Sequence, residues 1–221
     1  MDKMKSPLLI KKGAEASLYL ADWHGRKVVM KRRLPKKYRP AVLDDEIRAY
    51  RTVHEPQLMS EAKMTGVPTP TIFLVDVREA TIVMEFVEGK QVKVLLDKIG
   101  KSERRVVCSN IGALIGRLHG NGIIHGDLTT SNMIMASEGR IFLVDFGLGE
   151  KNGELEARGV DLHLMKRALQ STHFRFAGEC FEAIVEGYSE TVGVKATKSV
   201  LDKVAEIEKR GRYVAERKEK Q

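Results

Sequence analysis

Residues 124–132 read Ile-His-Gly-Asp-Leu-Thr-Thr-Ser-Asn, and residues 143–147 read Leu-Val-Asp-Phe-Gly. In the first stretch the acid Asp127 stands five positions before the amide Asn132, and in the second the acid Asp145 ends an apolar run. The residues that join the two stretches read as a β-hairpin. Two acids and an amide on either side of one hairpin indicate that the three side chains belong to a single site.

The chemistry of these three side chains suits phosphoryl transfer from ATP. That reaction needs cations that neutralise developing charge and a carboxylate that orients the attacking oxygen. We predict that Asp127 is the orienting carboxylate and weak base. Asn132 and Asp145 are the predicted magnesium ligands, since an amide and one carboxylate can share a cation without the repulsion of two full charges.

The chain opens with a strand-rich region that contains one helix. Residues 8–33 predict three short strands, with a hairpin turn at His24-Gly25. From about Asp44 to Lys63 the pattern is helical and charged, although Pro56 interrupts it. The sequence "TGVPTP" at 65–70 then ends the helix.

A lobe boundary follows the next pair of apolar segments. Residues 72–76 and 81–89 predict a buried hairpin followed by a linker. We place the lobe boundary near Glu88-Gly89. The predicted organisation is an N-terminal strand-rich lobe, 1–88, and a C-terminal helical lobe, 89–221.

The second lobe is predicted to be helical with one hairpin inside it. Helices are expected near 91–99, over 102–121 and from about Glu156 onward, and the hairpin over 132–145 is expected to turn at Glu138-Gly139. The helix over 102–121 carries an apolar stripe that we assign to the core: Val106, Val107, Ile111, Leu114, Ile115 and Leu118.

Composition narrows the class of protein further. The 221 residues carry a net charge of +8, with 43% apolar and 31% charged residues, which is typical of a globular protein with a polyanionic partner. Basic residues concentrate at 30–39 and in the stretch from Lys195 to the end. No apolar run approaches a membrane span and no signal peptide is evident, so we expect no membrane contact and a cytoplasmic location. Cys108 and Cys180 have no metal-ligand spacing and are interpreted as buried thiols.

The stretch "HGDLTTSN" followed by "VDFG" resembles the catalytic loop and metal-binding triplet of the protein-kinase superfamily. The resemblance implies an α+β, minimal bilobal protein-kinase-like fold. Its small N-terminal lobe would hold an antiparallel sheet with an inserted helix, and its reduced helical C-terminal lobe would end in a basic tail. It also implies ATP and Mg²⁺ as cofactors.

The resemblance assigns further residues in the first lobe. "VVMK" at 28–31 matches the strand lysine, so Lys31 should contact the α- and β-phosphates. Its carboxylate partner on the inserted helix is either Glu55 or Glu61, and we favour Glu55. Other residues expected around the nucleotide are one glycine of a degenerate phosphate loop, Gly13, and the hinge segment Met84, Glu85 and Phe86.

Two departures from the superfamily pattern bear on the substrate. Gly126 stands where regulated kinases carry the arginine that binds a phosphorylated activation loop, and only a short polar segment precedes Asp161, with no A-P-E motif. The platform that docks a peptide substrate is therefore expected to be missing. Asp161 resembles the acid that braces the catalytic loop, although an ordinary helix cap is the alternative.

Three groups combine a kinase core with such deletions: RIO-type kinases, small-molecule kinases of the aminoglycoside and choline type, and the minimal kinase of the KEOPS complex. The chain is most similar to the KEOPS kinase family, whose blocks it carries in order: "KGAEA", "KRRLPKKYRPAVLD", "RTVHE", "TGVPTP", "MEFVEG", "HGDLTTSN", "DFGLG" and a terminal "RGR". A small-molecule or RIO-type kinase, and a nucleotide-binding adaptor with little turnover, remain as alternatives.

Membership of the KEOPS kinase family implies an ATPase that also autophosphorylates on serine or threonine. Such a subunit supports the threonylcarbamoyl modification of adenosine 37 in tRNA. The implied partners are the threonylcarbamoyl transferase subunit and other KEOPS subunits. The flexible basic tail, with Arg210 and Arg212, suits tRNA phosphates, and a solubilising tail is the alternative.

Overall fold

The computed structural model describes residues 7–219, with side chains up to residue 210. Its N-terminal part is a five-stranded antiparallel sheet with the strand order β1-β2-β3-β5-β4. At the hairpin between β2 and β3, His24 and Gly25 have φ values of 52° and 76°, so the predicted turn is confirmed. The three predicted opening strands are also confirmed. The strands are β1, Leu8–Lys12; β2, Ser17–Trp23; β3, Arg26–Arg32; β4, Ile72–Asp76; and β5, Thr81–Glu85.

One long helix, α1, Ala41–Met64, is inserted in the chain between β3 and β4. It runs through Pro56 without ending, so the predicted interruption is wrong. A proline inside a helix costs about 3 kcal/mol, but the neighbouring side chains Leu58 and Met59 are fully buried in the core and hold this part of the helix in place. The helix ends as predicted at Thr65, and Gly66 follows with φ 82°.

The C-terminal part is mainly helical, as predicted. Its sheets are short: β6 pairs with β8 and β8 with β9, while β7 pairs with β10. The expected hairpin is present as β8 and β9, with Gly139 in the turn at φ 84°. The strands are β6, Gly89–Gln91; β7, Ile123–Ile124; β8, Met133–Ala136; β9, Ile141–Leu143; and β10, Glu150–Lys151. The helices are α2, Val92–Leu96; α3, Lys101–Gly120; α4, Leu155–Thr172; α5, Ala177–Val192; and α6, Val194–Glu219.

Helices α3 and α5 pack tightly against each other. A Cβ added at Gly112 would collide with the carbonyl oxygen of Ile184, and one added at Gly187 would collide with the carbonyl oxygen of Ser109. These glycines let the two backbones approach each other. The buried residues of the α3 stripe belong to the main core, but Val106 is 61% exposed, so its assignment to the core is wrong.

The main core runs from α1 and β5 into the C-terminal helices, because Leu58, Ile82 and Ile115 belong to one cluster of buried apolar residues. The division of the chain after residue 88 stays a prediction. Within residues 7–219, no helix is long and apolar enough to cross a membrane. The basic stretch expected as a flexible end is helical in α6 as far as Glu219.

Candidate active site

The buried ion pair between β3 and α1 organises the site. Lys31 Nζ donates to Glu55 Oε1 at 2.8 Å, and both side chains are buried. Arg33, two positions along the chain on the same side of the sheet, donates to the other carboxylate oxygen, Glu55 Oε2. Glu61 lies elsewhere and pairs with Lys151 at 2.7 Å. The contact with Lys31 thus agrees with the preference for Glu55 over Glu61.

Lys31 also connects the sheet to the Asp-Phe-Gly segment, because its Nζ lies 2.5 Å from Asp145 Oδ1. Burial by itself raises the pKa of Asp145, but the Lys31 ammonium outweighs it and the pKa is lowered overall. Asp145 has φ 68°, a left-handed conformation that is strained for a residue with a side chain. In this conformation the carboxylate meets Lys31.

The loop before β8 brings Asp127 and Asn132 together. Asn132 Nδ2 donates to Asp127 Oδ2 at 2.8 Å and to the Asp127 carbonyl at 3.1 Å. Since the amide nitrogen donates both of these hydrogen bonds, the Asn132 Oδ1 oxygen remains available to coordinate a cation or to accept a hydrogen bond. The amide therefore orients the carboxylate of Asp127 and presents an oxygen next to it.

The backbone of this loop is braced by a fully buried acid from α4. Asp161 Oδ2 accepts the N–H of His125 and Asp161 Oδ1 accepts the N–H of Gly126, both at 2.9 Å. Its Oδ2 also lies 3.2 Å from His119 Nε2. The bracing role is thus confirmed for Asp161, which lies well inside α4 and is not a helix cap.

Gly126 is required by the geometry of this loop. Its φ is 78°, and a Cβ added there would collide with the carbonyl oxygen of Leu148. The position at which regulated kinases carry arginine therefore has no room for a side chain in this chain.

A second polar contact fixes the loop from the other side. The hydroxyl of Thr130 lies 3.1 Å from His173 Nε2, and His173 Nδ1 lies 3.0 Å from Asp97 Oδ1. Thr130 and His173 are buried, whereas the Asp97 side chain is 57% exposed. The loop between Asp127 and Asn132 is thereby tied to the C-terminal helices.

Two adjoining cavities lie between the sheet and this loop. The inner cavity, about 350 Å³, is lined by Val29, Val144 and the segment 84–87, which includes Met84, Glu85 and Phe86. The outer cavity, about 310 Å³, is lined by Gly13, Arg33, Asp127 and Gly147. Lys31, Asn132 and Asp145 line both. All nine predicted site residues therefore line one or both of these cavities.

The loop over the outer cavity is held by basic residues of α1 and the segment before it. The Gly13 amide donates to the Ala16 carbonyl at 2.9 Å, and a Cβ at Gly13 would lie 3.0 Å from the same oxygen. Arg51 pairs with Glu15 at 2.7 Å, and Lys36 Nζ donates to the Ala14 carbonyl. A glycine-poor loop thus keeps its shape through ion pairs and hydrogen bonds.

Sequence reasoning missed Arg33, Arg51 and His173 as residues of this region. For Arg33 a signal existed: in "KRR" at 31–33 the strand period of two places the first and third side chains on one face. The structure agrees, since Lys31 and Arg33 are buried and Arg32 is exposed. No comparable local signal marks His173, which is distant from the loop in sequence.

The donor set fits a magnesium nucleotide. Mg²⁺ prefers oxygen ligands and usually combines one or two carboxylates with phosphates and water. The Asn132 Oδ1 oxygen and the half-exposed Asp145 carboxylate border both cavities, beside the Lys31 cation. Among residues 7–210, no group of three or more His, Cys, Asp or Glu side chains could hold a metal by itself. A site completed by phosphate oxygens is consistent with this arrangement.

Comparison with known proteins agrees with this geometry. Residues 10–175 match the family model described as protein kinase domain. The chain is 46% identical over 211 residues to the KEOPS complex subunit Bud32 of Pyrococcus abyssi. The aligned region covers 93% of this chain and 96% of that protein.

Longer relatives contain a similar region. The chain is 44% identical over 207 residues to a probable bifunctional tRNA threonylcarbamoyladenosine biosynthesis protein of Methanothermobacter thermautotrophicus, covering 94% of this chain and 37% of that protein. A protein of the same name from Methanosarcina acetivorans is 44% identical over 202 residues, covering 91% and 35%. The chain therefore spans little more than a third of the length of these two relatives.

Proposed function

Because the chain belongs to the protein kinase family and, within it, to the family of the KEOPS complex subunit Bud32, we propose that it binds ATP with Mg²⁺ and acts chiefly as an ATPase. In this role it supports the formation of threonylcarbamoyladenosine in tRNA, the process named for its longer relatives. The observation that carries the proposal is the double contact of Lys31 Nζ with Glu55 and Asp145, opposite Asp127 and Asn132.

Each of these side chains has a proposed part. Lys31, oriented by Glu55, binds phosphate oxygens. Asn132 Oδ1 and the Asp145 carboxylate hold Mg²⁺, which supplies neutralisation of phosphate charge when bound. Asp127, oriented by Asn132 Nδ2, accepts a hydrogen bond from the attacking oxygen and aligns it with the terminal phosphorus. The adenine is proposed to lie in the inner cavity beside Met84, Glu85 and Phe86, with Gly13 over the phosphates.

The length of the segment after the Asp-Phe-Gly triplet favours water as the acceptor. Only residues 148–154 separate Gly147 from α4, and Glu150–Lys151 within them pairs with β7. A segment this short, held in a strand pair, offers no extended edge on which a peptide substrate could lie. We therefore propose ATP hydrolysis as the main reaction, with autophosphorylation of serine or threonine as a side reaction.

The proposed partners are the threonylcarbamoyl transferase subunit and other KEOPS subunits, together with tRNA. We propose contact of Arg210 and Arg212 with tRNA phosphates. In the structure Arg210 donates to Glu156 on α4, and the Arg212 side chain lies outside the described residues. A cytoplasmic location is proposed as well.

The test of this function is steady-state ADP release from Mg-ATP by wild type and Asp127→Asn, alone and with the transferase subunit and tRNA. We expect release that requires Asp127 and rises with both additions. The matched control is Asp202→Asn, an exposed acid on α6, which should keep the wild-type rate. Release that ignores both additions points to a small-molecule or RIO-type kinase, and nucleotide binding without release points to an adaptor.

A further inference from the structure

Arg33 is a buried cation whose hydrogen bonds are incomplete. Its side chain is 3% exposed, and one terminal nitrogen, Nη2, donates to Glu55 Oε2. The other terminal nitrogen, Nη1, is buried and meets no acceptor among the described residues. A buried charged donor without an acceptor is unfavourable, so a ligand oxygen within reach of Nη1 would be stabilised.

Orienting Glu55 does not explain a second cation at this place. Lys31 already holds Glu55 Oε1 at 2.8 Å, and the same ammonium reaches Asp145 at 2.5 Å. The Glu55 carboxylate is thus shared by two buried cations. Asp145 balances the second cation in this structure, but an Asp145 that holds Mg²⁺ would leave Lys31 and Arg33 with Glu55 alone. The remaining positive charge would suit an anion that enters the neighbouring cavity.

The position of Arg33 within the cavities indicates which part of a nucleotide it meets. Arg33 and Asp127 line the outer cavity and not the inner one, which contains the hinge segment 84–87. A Cβ added at Gly147 would lie 3.3 Å from Arg33 Nη2 and 3.2 Å from Asp145 Oδ1. Arg33 therefore lies at the Asp127 end of the site and away from the hinge segment 84–87.

We propose that Arg33 is a phosphate-binding residue that contacts the terminal phosphoryl group of ATP and makes the site prefer ATP over ADP. The inference rests on the proposed function, since it takes the inner cavity as the place of the adenine. A guanidinium suits this task because its fork of N–H groups can hold the Glu55 carboxylate and a phosphoryl oxygen at once.

The experiment measures binding, not turnover. Dissociation constants are determined by calorimetry with Mg²⁺ for ADP and for a non-hydrolysable ATP analogue with an imido bridge between its last two phosphates. The proteins are wild type, Arg33→Met and Arg33→Lys. The matched control is Arg32→Met, because Arg32 is the next residue along the chain but is 49% exposed and pairs with Glu79 on the surface.

We expect Arg33→Met to weaken binding of the ATP analogue by about tenfold or more and that of ADP by less than about threefold. Arg33→Lys should recover part of the difference, since it keeps the charge but lacks the fork. Arg32→Met should match wild type for both ligands.

Equal weakening of both ligands by Arg33→Met would overturn the inference and leave Arg33 as a support for Glu55. If Arg33→Met does not fold, judged by its circular dichroism, Arg33→Lys alone decides between selective and equal weakening. Wild type that binds ADP and the analogue equally well also overturns the inference while leaving the proposed function intact. Wild type that binds neither nucleotide overturns the proposed function itself.

Discussion

Asp161 Oδ1 accepts the backbone N–H of Gly126 at 2.9 Å, so an acid on α4 sets the conformation of the residue directly before Asp127. The other carboxylate oxygen accepts the N–H of His125 at the same distance. A carboxylate is suited to two convergent N–H donors because both of its oxygens only accept. The proposed catalytic loop therefore depends on a buried charge that touches neither cavity.

The first prediction concerns this brace. Asp161→Asn places an NH₂ group against one of the two backbone donors and removes the charge from the other, which should cost about 2–4 kcal/mol of stability. ADP release should fall with it, because Asp127 loses its alignment. Urea unfolding of the variant and of Asp202→Asn, the exposed control, measures the difference. Equal stability of the two variants would contradict the role of Asp161.

The second prediction separates backbone strain from collision at two glycines with positive φ. Gly126→Ala should destabilise the protein by more than about 2 kcal/mol, because the added methyl group meets the Leu148 carbonyl. Gly139→Ala is the control, since Gly139 has φ 84° but nothing lies within 4 Å of an added Cβ. It should cost only the strain of the turn, about 1 kcal/mol. Thermal unfolding midpoints decide, and similar costs at the two positions would refute the explanation of Gly126.

The third prediction is a pH dependence that arises from His125. Complete burial lowers the pKa of this imidazole, although Asp161, Asp145 and Asp127 act in the opposite direction. The unfolded chain then binds a proton before the folded chain does. The stability contribution is fully present above the ordinary pKa of about 6.5 and is lost as the pH falls towards the lowered folded value.

Urea unfolding at pH 7.5 and pH 5.5 checks this dependence, in the absence of nucleotide and with a chelator present. Wild type should lose stability between these pH values, and His125→Gln should lose less. His163→Gln is a useful comparison. Burial also lowers the pKa of His163, but this side chain is 19% exposed and its Nδ1 lies 3.7 Å from Glu208 Oε1. A wild type whose stability is unchanged down to pH 5.5 would contradict the prediction.

The fourth prediction concerns the contact between Thr130 and His173. Thr130→Val keeps the shape of the side chain but removes the hydroxyl, which leaves His173 Nε2 buried without a partner. We expect a loss of about 1–3 kcal/mol of stability and a lower rate of ADP release. Asp97→Asn, which alters the exposed end of the same chain of contacts, should cost less than about 1 kcal/mol. The reverse order of the two costs would argue against a positioning role for His173.

The fifth prediction concerns tRNA and the ion pair of Arg210 with Glu156. If Arg210 contacts a tRNA phosphate, Arg210→Gln should weaken binding and reduce the slope of log K against log salt by about 0.7–0.9. Glu156→Gln should have the opposite effect on affinity, because it releases Arg210 from its partner on α4. Filter binding over a series of salt concentrations measures both. Unchanged slopes in both variants would exclude Arg210 from the tRNA contact.

Much of the fold follows from local sequence signals. The turn at His24-Gly25, the end of α1 before residues 65–70 and the hairpin turn at Gly139 all depend on residues whose backbone preferences act within a few positions. The errors have tertiary causes. Pro56 is kept within a helix by buried neighbours, and Val106 is exposed because it lies about 100° around α3 from the buried Val107.

The sequence by itself determined which residue types could hold a magnesium nucleotide. Asp127, Asn132 and Asp145 lie close together along the chain, and their oxygen-bearing side chains at this spacing indicate the site. Only the tertiary structure decided which partners orient them. Glu55 and Glu61 lie six positions apart on α1, about 240° around the helix, so only the packing of α1 on the sheet shows which of them meets Lys31. Arg33 at the outer cavity and Asp161 under the loop likewise act across long separations in sequence. A short pattern can place Arg33 on the face of Lys31 or suggest Asp161 as a brace, but their partners depend on how whole elements pack.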